Sequence, residues 1–361
     1  MANLIIRPGW WIPERLATPE SLYQNYHARR RTRTEDSESR RAFMRKAGSA
    51  AAALAGGGFL GCGGPQAEAQ PRSSGAPQAS DSAARPAPPE PAPGLYPAER
   101  SSRFNQLDRP LTAEAVAGTH NNFYEFANGQ QGPGFQRTVA DLAKGYPFRP
   151  WQVEIAGLCE KPQTLSIDEI EKLAPLEERL YRFRCVEAWA MAVPWTGYRL
   201  ARLLEAVQPK PEARYVRFVS WLDRQLLGVK SAPWYPWPYY EGLRMDEAMN
   251  ELTLLCTGIY GHALAPQHGA PVRVIVPWKY GYKSAKSIVR IELTETQPRT
   301  FWNDLQPTEY GFYSNVNPNV PHPRWSQAFE WMIPDKSDRR PTLLYNGYGD
   351  AVASLYNGTE V

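Results

Sequence analysis

Residues 181–189 read Tyr181-Arg182-Phe183-Arg184-Cys185-Val186-Glu187-Ala188-Trp189. Up to the cysteine, the run alternates with the two-residue period of a β-strand, which places the aromatic rings and the thiol on one face and the two arginines on the other. The pattern predicts a strand that delivers a thiol at its end, with two guanidinium groups close by. Nearby cations lower the pKa of a thiol and favour the thiolate, the form that binds soft metals. The alternative, that Cys185 is a small buried core residue, fits the run equally well.

The composition limits the class of protein. A chain of 361 residues can hold one large domain or two modest ones in addition to tails. A formal net charge of +4 is too small to indicate nucleic-acid binding. The cysteines at positions 62, 159, 185 and 256 form neither a Cys-x-x-Cys pair nor a zinc-finger pattern. Motifs of phosphate loops, dinucleotide folds, zinc hydrolases and serine hydrolases are absent from the sequence, so those reactions lack their usual markers.

The first hundred residues differ in composition from the rest. Arg40 and Arg41 precede a weakly apolar, alanine-rich stretch, which is typical of a twin-arginine export signal over residues 1–62. That route carries folded proteins and suggests a cofactor inserted before export; a chance arginine pair before an alanine-rich helix is the alternative. Residues 59–62 resemble a lipoprotein cleavage box, so a lipid at Cys62 is expected as one outcome. Residues 63–102 are rich in proline and alanine and predict a disordered linker before a folded domain at 103–361.

The folded part shows strands and short helices without regular alternation. Ser166 and Glu169 form a capping box that opens a helix, and leucines at helical spacing predict another helix from Leu200 that stops before Pro209. Strands are predicted at residues 151–157, 215–220, 271–276 and 287–293. This arrangement indicates an α+β fold with mixed sheets and scattered short helices.

Four further stretches are unusual for plain scaffold. Residues 121–126 combine amides, a phenol and a carboxylate that suit a polar heterocycle, although a capped helix start also explains them. Residues 267–273 place His268 and Arg273 about one strand length apart, with a structural histidine as the alternative. Residues 277–287 combine three lysines with glycine and serine, which suits a phosphate. The aromatic, proline-rich residues 233–240 predict either the mouth of an active site or a cap on the core.

Together these stretches resemble the molybdopterin proteins of the sulfite oxidase family, from Asn121 to about Gly358. The marks are Arg-Cys-Val-Glu-Ala-Trp, Ala-Pro-Val-Arg, Val-Pro-Trp-Lys-Tyr-Gly and His322-Pro323-Arg324-Trp325-Ser326. Within the family, the chain is most similar to the periplasmic reductases of methionine sulfoxide in proteins. The resemblance implies a sulfite-oxidase-type molybdopterin-binding fold and one Mo-molybdopterin per chain.

The resemblance also implies roles for particular residues. The sulfur of Cys185 would bind molybdenum, and Asn121, Tyr124 and Glu125 would contact the pterin. Glu187 could handle protons near the metal, with a surface salt bridge as the alternative.

Further cofactor contacts are implied on the other side of the site. Ser220 stands where the reductases have Thr, and His268 replaces the Asn of the best-known reductases, a position at which sulfite oxidases often carry His. Arg273 would hold the cofactor phosphate with Ser284, Ala285 and Lys286, a segment that departs from the usual Gly-Ile-Lys but keeps the lysine.

The resemblance implies a periplasmic, twin-arginine-exported reductase of methionine sulfoxide in oxidised periplasmic proteins. Its electrons would come from a membrane haem-containing, quinol-linked subunit, and membrane association would occur only through that partner or a lipid at Cys62. Sulfite oxidation at the same cofactor is the alternative, although about 75 residues after Lys286 are too few for the dimerisation domain of sulfite oxidases. A cofactor-free, aromatic-rich binding protein is a third possibility.

Overall fold

A computed structural model describes residues 94–118, 123–127, 146 and 148–357. The predicted export signal, most of the linker and Asn121 lie outside these residues. Within them, no helix is both long and apolar enough to cross a membrane.

Two mixed β-sheets form the framework. The larger has eight strands: β1 (Glu99–Arg100), β4 (Glu177–Arg184), β5 (Trp189–Arg199), β8 (Leu254–Ile259), β9 (His262–Ala263), β10 (Arg273–Ile275), β12 (Phe329–Met332) and β13 (Arg339–Pro341). The smaller has five, in the order β3 (Gln163–Ser166), β2 (Gln152–Gly157), β11 (Ile288–Thr294), β6 (Tyr215–Ser220) and β7 (Tyr240–Arg244). Parallel and antiparallel pairs occur in both, since β1 is parallel to β4 and β2 is parallel to β11.

The helices of the described residues are short and scattered. The α-helices span Glu114–Ala117, Tyr124–Ala127, Ile167–Lys172, Leu200–Val207, Leu227–Ser231, Met245–Met249, Phe301–Leu305 and Gly349–Val352. Single 3-10 turns occur at Pro266–His268, Gly281–Lys283, Leu344–Gly347 and Ala353–Leu355. Mixed sheets with short helices confirm the predicted α+β class.

The local patterns in the sequence explain several elements. Strand β6 has the predicted bounds, and Ser166 caps the helix Ile167–Lys172 through the predicted capping box with Glu169. The helix Leu200–Val207 buries its leucines, and its C-cap Gln208 directly precedes the proline. Strand β10 is shorter than the predicted 271–276, and at its C-terminal end the amide of Val276 donates to Ser284 Oγ at 3.1 Å and not to a neighbouring strand.

The start of the packed domain corrects the predicted linker boundary at residue 102. Tyr96 donates a hydrogen bond to Thr257 Oγ1 at 2.8 Å, and β1 already pairs with β4. Composition does not mark this start, because a single tyrosine and a two-residue strand change it little. The packed domain therefore begins before Arg103.

Strands β4 and β5 form an antiparallel hairpin with Arg184 opposite Ala190. The four residues Cys185 to Ala188 make its turn, in which the amide of Cys185 donates to the carbonyl of Trp189 at 2.9 Å. Ala188 closes the turn with a φ of 71°, a left-handed conformation that is uncommon for a residue with a side chain. The predicted strand therefore does end at the thiol.

Candidate active site

A deep cavity lies beside Cys185, with walls from both sheets. About 920 Å³ in the cavity and its open mouth, solvent space included, is not filled by protein atoms. Its lining comes from the β4–β5 hairpin, the end of β6, the start of β10 and the segment before β11. The lining residues are Tyr124, Glu125, Phe183, Cys185, Val186, Glu187, Trp189, Met191, Trp195, Ser220, Tyr239, Gln267, His268, Arg273, Gly281, Tyr282, Ser284, Lys286, Trp302 and Tyr310. The fold thus brings together side chains that are up to 186 positions apart in sequence (Tyr124 to Tyr310).

The surroundings of Cys185 differ from the sequence-based prediction. The guanidinium of Arg184 bonds to the carbonyl oxygen of Cys185 and pairs with the carboxylate of Glu330. Arg182 instead forms an ion pair with Asp108, with Nε 2.9 Å from Oδ1. Burial raises the pKa of the Cys185 thiol well above its ordinary value, and the carboxylate of Glu187 adds to the rise. The prediction of a lowered thiol pKa is therefore wrong for the protein alone, although metal coordination deprotonates a thiol outright.

Arg273 is the most informative side chain of the cavity. It is 4% exposed, and two of its nitrogens donate to the carbonyls of His268 at 2.7 Å and Ser284 at 3.1 Å. No carboxylate in the described part of the chain pairs with it. Burial lowers the pKa of Arg273 to about 10, so the guanidinium stays charged at neutral pH. Because an uncompensated buried charge is costly, this arginine is suited to an anionic ligand.

Other polar atoms of the lining also lack partners within the described ranges. They are Nε1 of Trp195, Oγ of Ser220, Nδ1 of His268 and Nε of Arg273. Buried polar groups are normally hydrogen-bonded, and exceptions need an explanation such as an unseen ligand. Donors and a hydroxyl around a buried cation fit a polar, anionic heterocycle such as a phosphorylated pterin.

Lys286 and Glu125 are two further charged residues of the lining. Burial lowers the pKa of the Lys286 ammonium, and the Glu125 carboxylate opposes that shift. Lys286 also lies over the Phe123 ring, with Nζ 4.3 Å from its centre. Gly269 leaves room for the Lys286 side chain, because a Cβ at position 269 would lie 2.7 Å from Cβ of Lys286. The φ of 95° at Gly269 also disfavours residues that carry a side chain.

The predicted phosphate segment is only partly at the cavity. Ser284 and Lys286 line it, whereas Ala285 is buried beside it, with its carbonyl accepting from the Val274 amide at 3.0 Å. Lys279 and Lys283, which the sequence grouped with Lys286 in one basic loop, are fully buried away from it. They pair with Glu247 at 2.6 Å and Glu241 at 2.7 Å. The interpretation of three lysines as one phosphate loop is therefore wrong for two of them.

An outer cleft continues the cavity toward the surface. It shares Tyr124, Glu187, Trp302 and Tyr310 with the cavity. Its further lining residues are Trp234, Tyr235, Leu305, Gln306, Glu309, Arg324 and Trp325. Glu187 lies at the junction, where its carboxylate accepts a hydrogen bond from Nε1 of Trp189 at 3.2 Å.

The aromatic residues 233–240 serve both predicted purposes. Trp234 is 72% exposed and lines the outer cleft with Tyr235, which confirms the predicted mouth for these two rings. Trp237 does not line it: its Nε1 donates to the Ala232 carbonyl at 2.9 Å, and its ring packs 5.1 Å from that of Phe301.

Several lining residues were not predicted from the sequence. Tyr239 and Tyr282 lie in the unusual stretches 233–240 and 277–287 but were given no role of their own. Trp195 belongs to an ordinary-looking strand, and Trp302 and Tyr310 come from a distant part of the chain. The His322–Ser326 motif gave a partial signal. Its Trp325 donates from Nε1 to the carbonyl of Val186 at 2.8 Å and thereby fixes the turn that carries Cys185.

Comparisons with known proteins agree with this geometry. A family profile described as an oxidoreductase molybdopterin binding domain matches residues 143–302. The protein-methionine-sulfoxide reductase catalytic subunit MsrP of Ralstonia nicotianae is 50% identical over 75% of this chain and 82% of the relative. Subunits of the same name are 54% identical in Burkholderia mallei, over 67% of this chain and 72% of the relative, and 50% identical in Campylobacter jejuni, over 71% and 84%. The solved sulfane dehydrogenase SoxCD of Paracoccus pantotrophus is similar only weakly, with a TM-score of 0.36 and 18% identity over 43% of this chain and 41% of that chain.

Proposed function

The chain belongs to the family of protein-methionine-sulfoxide reductase catalytic subunits, and we propose that it reduces methionine sulfoxide residues in proteins with one molybdopterin cofactor per chain. The observation that carries the proposal is the buried Arg273, which has no carboxylate partner among the described residues and lies in the cavity of Cys185.

The residues of the cavity fit molybdopterin. Cys185 supplies a soft sulfur ligand for the metal, and Arg273 with Lys286 supplies positive charge for the phosphate. The unpartnered atoms of Trp195, Ser220 and His268 offer hydrogen bonds to the polar groups of the pterin. When bound, the cofactor supplies the two-electron transfer of an oxygen atom from the sulfoxide.

The outer cleft suits a polypeptide that carries the oxidised methionine. Its exposed Trp234 and the neighbouring rings offer flat apolar surface to the residues that flank the sulfoxide. Because the cleft opens into the cavity, the flanking chain can remain outside while the oxidised side chain reaches inward.

Glu187 is suited to handling protons. Reduction of a sulfoxide consumes two protons and releases water, and this carboxylate lies where the cavity meets the solvent-accessible cleft. Its hydrogen bond from Trp189 holds it in place at that junction.

Location and electron supply are parts of the same proposal. The arginine pair at Arg40 and Arg41 supports twin-arginine export to the periplasm, with a lipid at Cys62 as an additional tether. The electron donor would be a haem-containing, quinol-linked membrane subunit, as the resemblance to the methionine sulfoxide reductases implies. Exchange of both arginines for lysine should leave cofactor-loaded protein in the cytoplasm, and unchanged export would contradict the route.

The activity itself is tested with purified protein. With a reduced viologen as electron donor, we expect turnover of free methionine sulfoxide and of an oxidised, unfolded protein. The same preparation is assayed for sulfite oxidation with an artificial electron acceptor. Sulfite turnover without sulfoxide turnover would overturn the proposed reaction but would still support the proposed molybdopterin cofactor.

A further inference from the structure

Tyr310 lies where three cavities of the molecule meet. It lines the Cys185 cavity and the outer cleft, and also a third cavity bordered by Val186, Asn317 and His322. It is the one described residue that these three cavities share. A substrate side chain that passes from the cleft toward Cys185 therefore passes this phenol.

The ring of Tyr310 is held in a fixed position. Its amide donates to the carbonyl of Gln306 at 3.1 Å, and its own carbonyl accepts from Nδ2 of Asn303 at 2.6 Å. Its ring packs against those of Trp302 at 5.3 Å and Tyr282 at 5.4 Å. Such packing fixes the side chain before any ligand arrives, as a positioned hydrogen-bond donor requires.

The hydroxyl of Tyr310 is available, in contrast with those of its neighbours. Tyr282 uses its hydroxyl on Ser314 Oγ, and Tyr239 donates to the carbonyl of Tyr282 at 2.6 Å. The Tyr310 hydroxyl forms no hydrogen bond with any residue in the described ranges. Burial raises the pKa of Tyr310 to about 12, against the opposing charge of Arg324, so the phenol keeps its proton throughout the physiological range.

We propose that Tyr310 is a catalytic residue that donates a hydrogen bond to the oxygen of the substrate sulfoxide and orients it toward the cofactor. This inference rests on the proposed function. The oxygen of a sulfoxide carries partial negative charge and accepts hydrogen bonds strongly, whereas the thioether product has no such oxygen. The phenol keeps its proton: reduction of the sulfoxide to thioether and water takes two electrons from the cofactor's donor and two protons from solvent.

The decisive variant is Tyr310→Phe, because it keeps the ring and its packing and removes only the hydroxyl. Tyr215→Phe is the matched control, since it makes the same change at a ring that packs against Phe312 and lines none of the three cavities. Each variant is purified with its cofactor, and its molybdenum content is measured. Three quantities are then compared with the unchanged enzyme: kcat and KM for methionine sulfoxide, and the inhibition constant of the product methionine.

We expect Tyr310→Phe to lower kcat/KM for methionine sulfoxide by roughly 10- to 100-fold, because one hydrogen bond to the negatively charged sulfoxide oxygen is lost. The inhibition constant of methionine and the molybdenum content should stay within about twofold, because neither depends on the missing hydrogen bond. Tyr215→Phe should change kcat/KM for the sulfoxide by less than about threefold.

Two results would overturn the inference. One is a Tyr310→Phe enzyme with unchanged kcat/KM, and the other is an equal loss in sulfoxide turnover and methionine binding, which indicates general damage to the site. If the unchanged enzyme does not reduce methionine sulfoxide at all, the proposed function fails first, and the two failures are thereby distinguished.

Discussion

Two kinds of buried cation occur in this molecule, and they differ in how their charge is balanced. Lys279 and Lys283 are fully buried, and each pairs with a buried glutamate, at 2.6 and 2.7 Å. Arg273 is buried to a similar degree, but it contacts only backbone carbonyls and aromatic rings within the described residues.

The difference separates scaffold from binding site. A buried cation that pairs with a buried carboxylate is neutralised within the protein and needs no ligand. Removing one partner of such a pair destabilises the fold. A buried charge without a counter-charge leaves a binding site for an anion. The same contrast extends to the neighbouring atoms, because Trp195, Ser220 and His268 also carry unpartnered polar atoms on the cavity wall in the part of the chain described.

The largest effect is expected at the metal position. Cys185→Ser should abolish sulfoxide reduction, because a hydroxyl is a hard, weakly acidic ligand that does not replace a thiolate. Pterin content should remain, since Arg273 and the other cavity groups are unchanged. Cys159→Ala removes a buried thiol that does not line the cavity and serves as the control. Near-normal turnover of Cys185→Ser would show that Cys185 does not bind the metal.

The next effect tests the scaffold side. Lys283→Met should lower the free energy of unfolding at pH 7 by about 3–5 kcal/mol, because it leaves Glu241 buried without its partner. Burial raises the pKa of Glu241, so in this variant the carboxyl binds a proton more readily when folded than when unfolded. Stability should therefore recover as the pH falls toward the ordinary carboxyl pKa.

Chemical denaturation at several pH values checks this prediction. The exposed Lys161→Met variant is the control, and its stability should be nearly unchanged. If the Lys283→Met protein is as stable as the unchanged chain but contains less cofactor, Lys283 binds the cofactor and does not stabilise the fold.

Arg273→Met should give the reverse pattern. Loss of a charge-assisted contact of about 1.5–3 kcal/mol weakens cofactor binding by roughly 10- to 100-fold, so the protein should purify with less molybdopterin. Lys286→Ala should act in the same direction. In Arg273→Met, stability should decrease less than in Lys283→Met, because Arg273 has no carboxylate partner among the described residues. Full molybdenum content in both variants would place the phosphate elsewhere.

The smallest effect is expected at the rim of the outer cleft. Trp234→Ala should raise KM for an oxidised protein substrate several-fold and leave kcat for free methionine sulfoxide nearly unchanged, since only remote contacts are lost. Leu343→Ala removes an exposed apolar side chain outside the cleft and serves as the control. Equal changes for both substrates, together with a lower melting temperature, would show that Trp234 supports the fold and not the substrate.

The fold was predictable where local pattern determines structure. The alternation before Cys185, the capping box at Ser166 and the leucine spacing from Leu200 depend on neighbours within a few positions, and these elements formed as expected. The resemblance to a family supplied most of the candidate site residues. It did not identify Tyr310, which reaches the cavity only through tertiary packing.

The charge partners were not predictable in the same way. Lys279 meets Glu247, 32 positions away, only after strands and helices have packed. The prediction of a lowered pKa for the Cys185 thiol failed for the same reason. The sequence shows the arginines beside Cys185, but it shows neither the burial of the thiol nor the pairing of Arg184 with Glu330.

The most direct test of the account is the molybdenum content of the purified protein, measured by mass spectrometry. We predict roughly one molybdenum per chain, as a single complete binding site requires. Folded, correctly exported protein without molybdenum or pterin would contradict the account, because the unbalanced charge of Arg273 would then have no ligand.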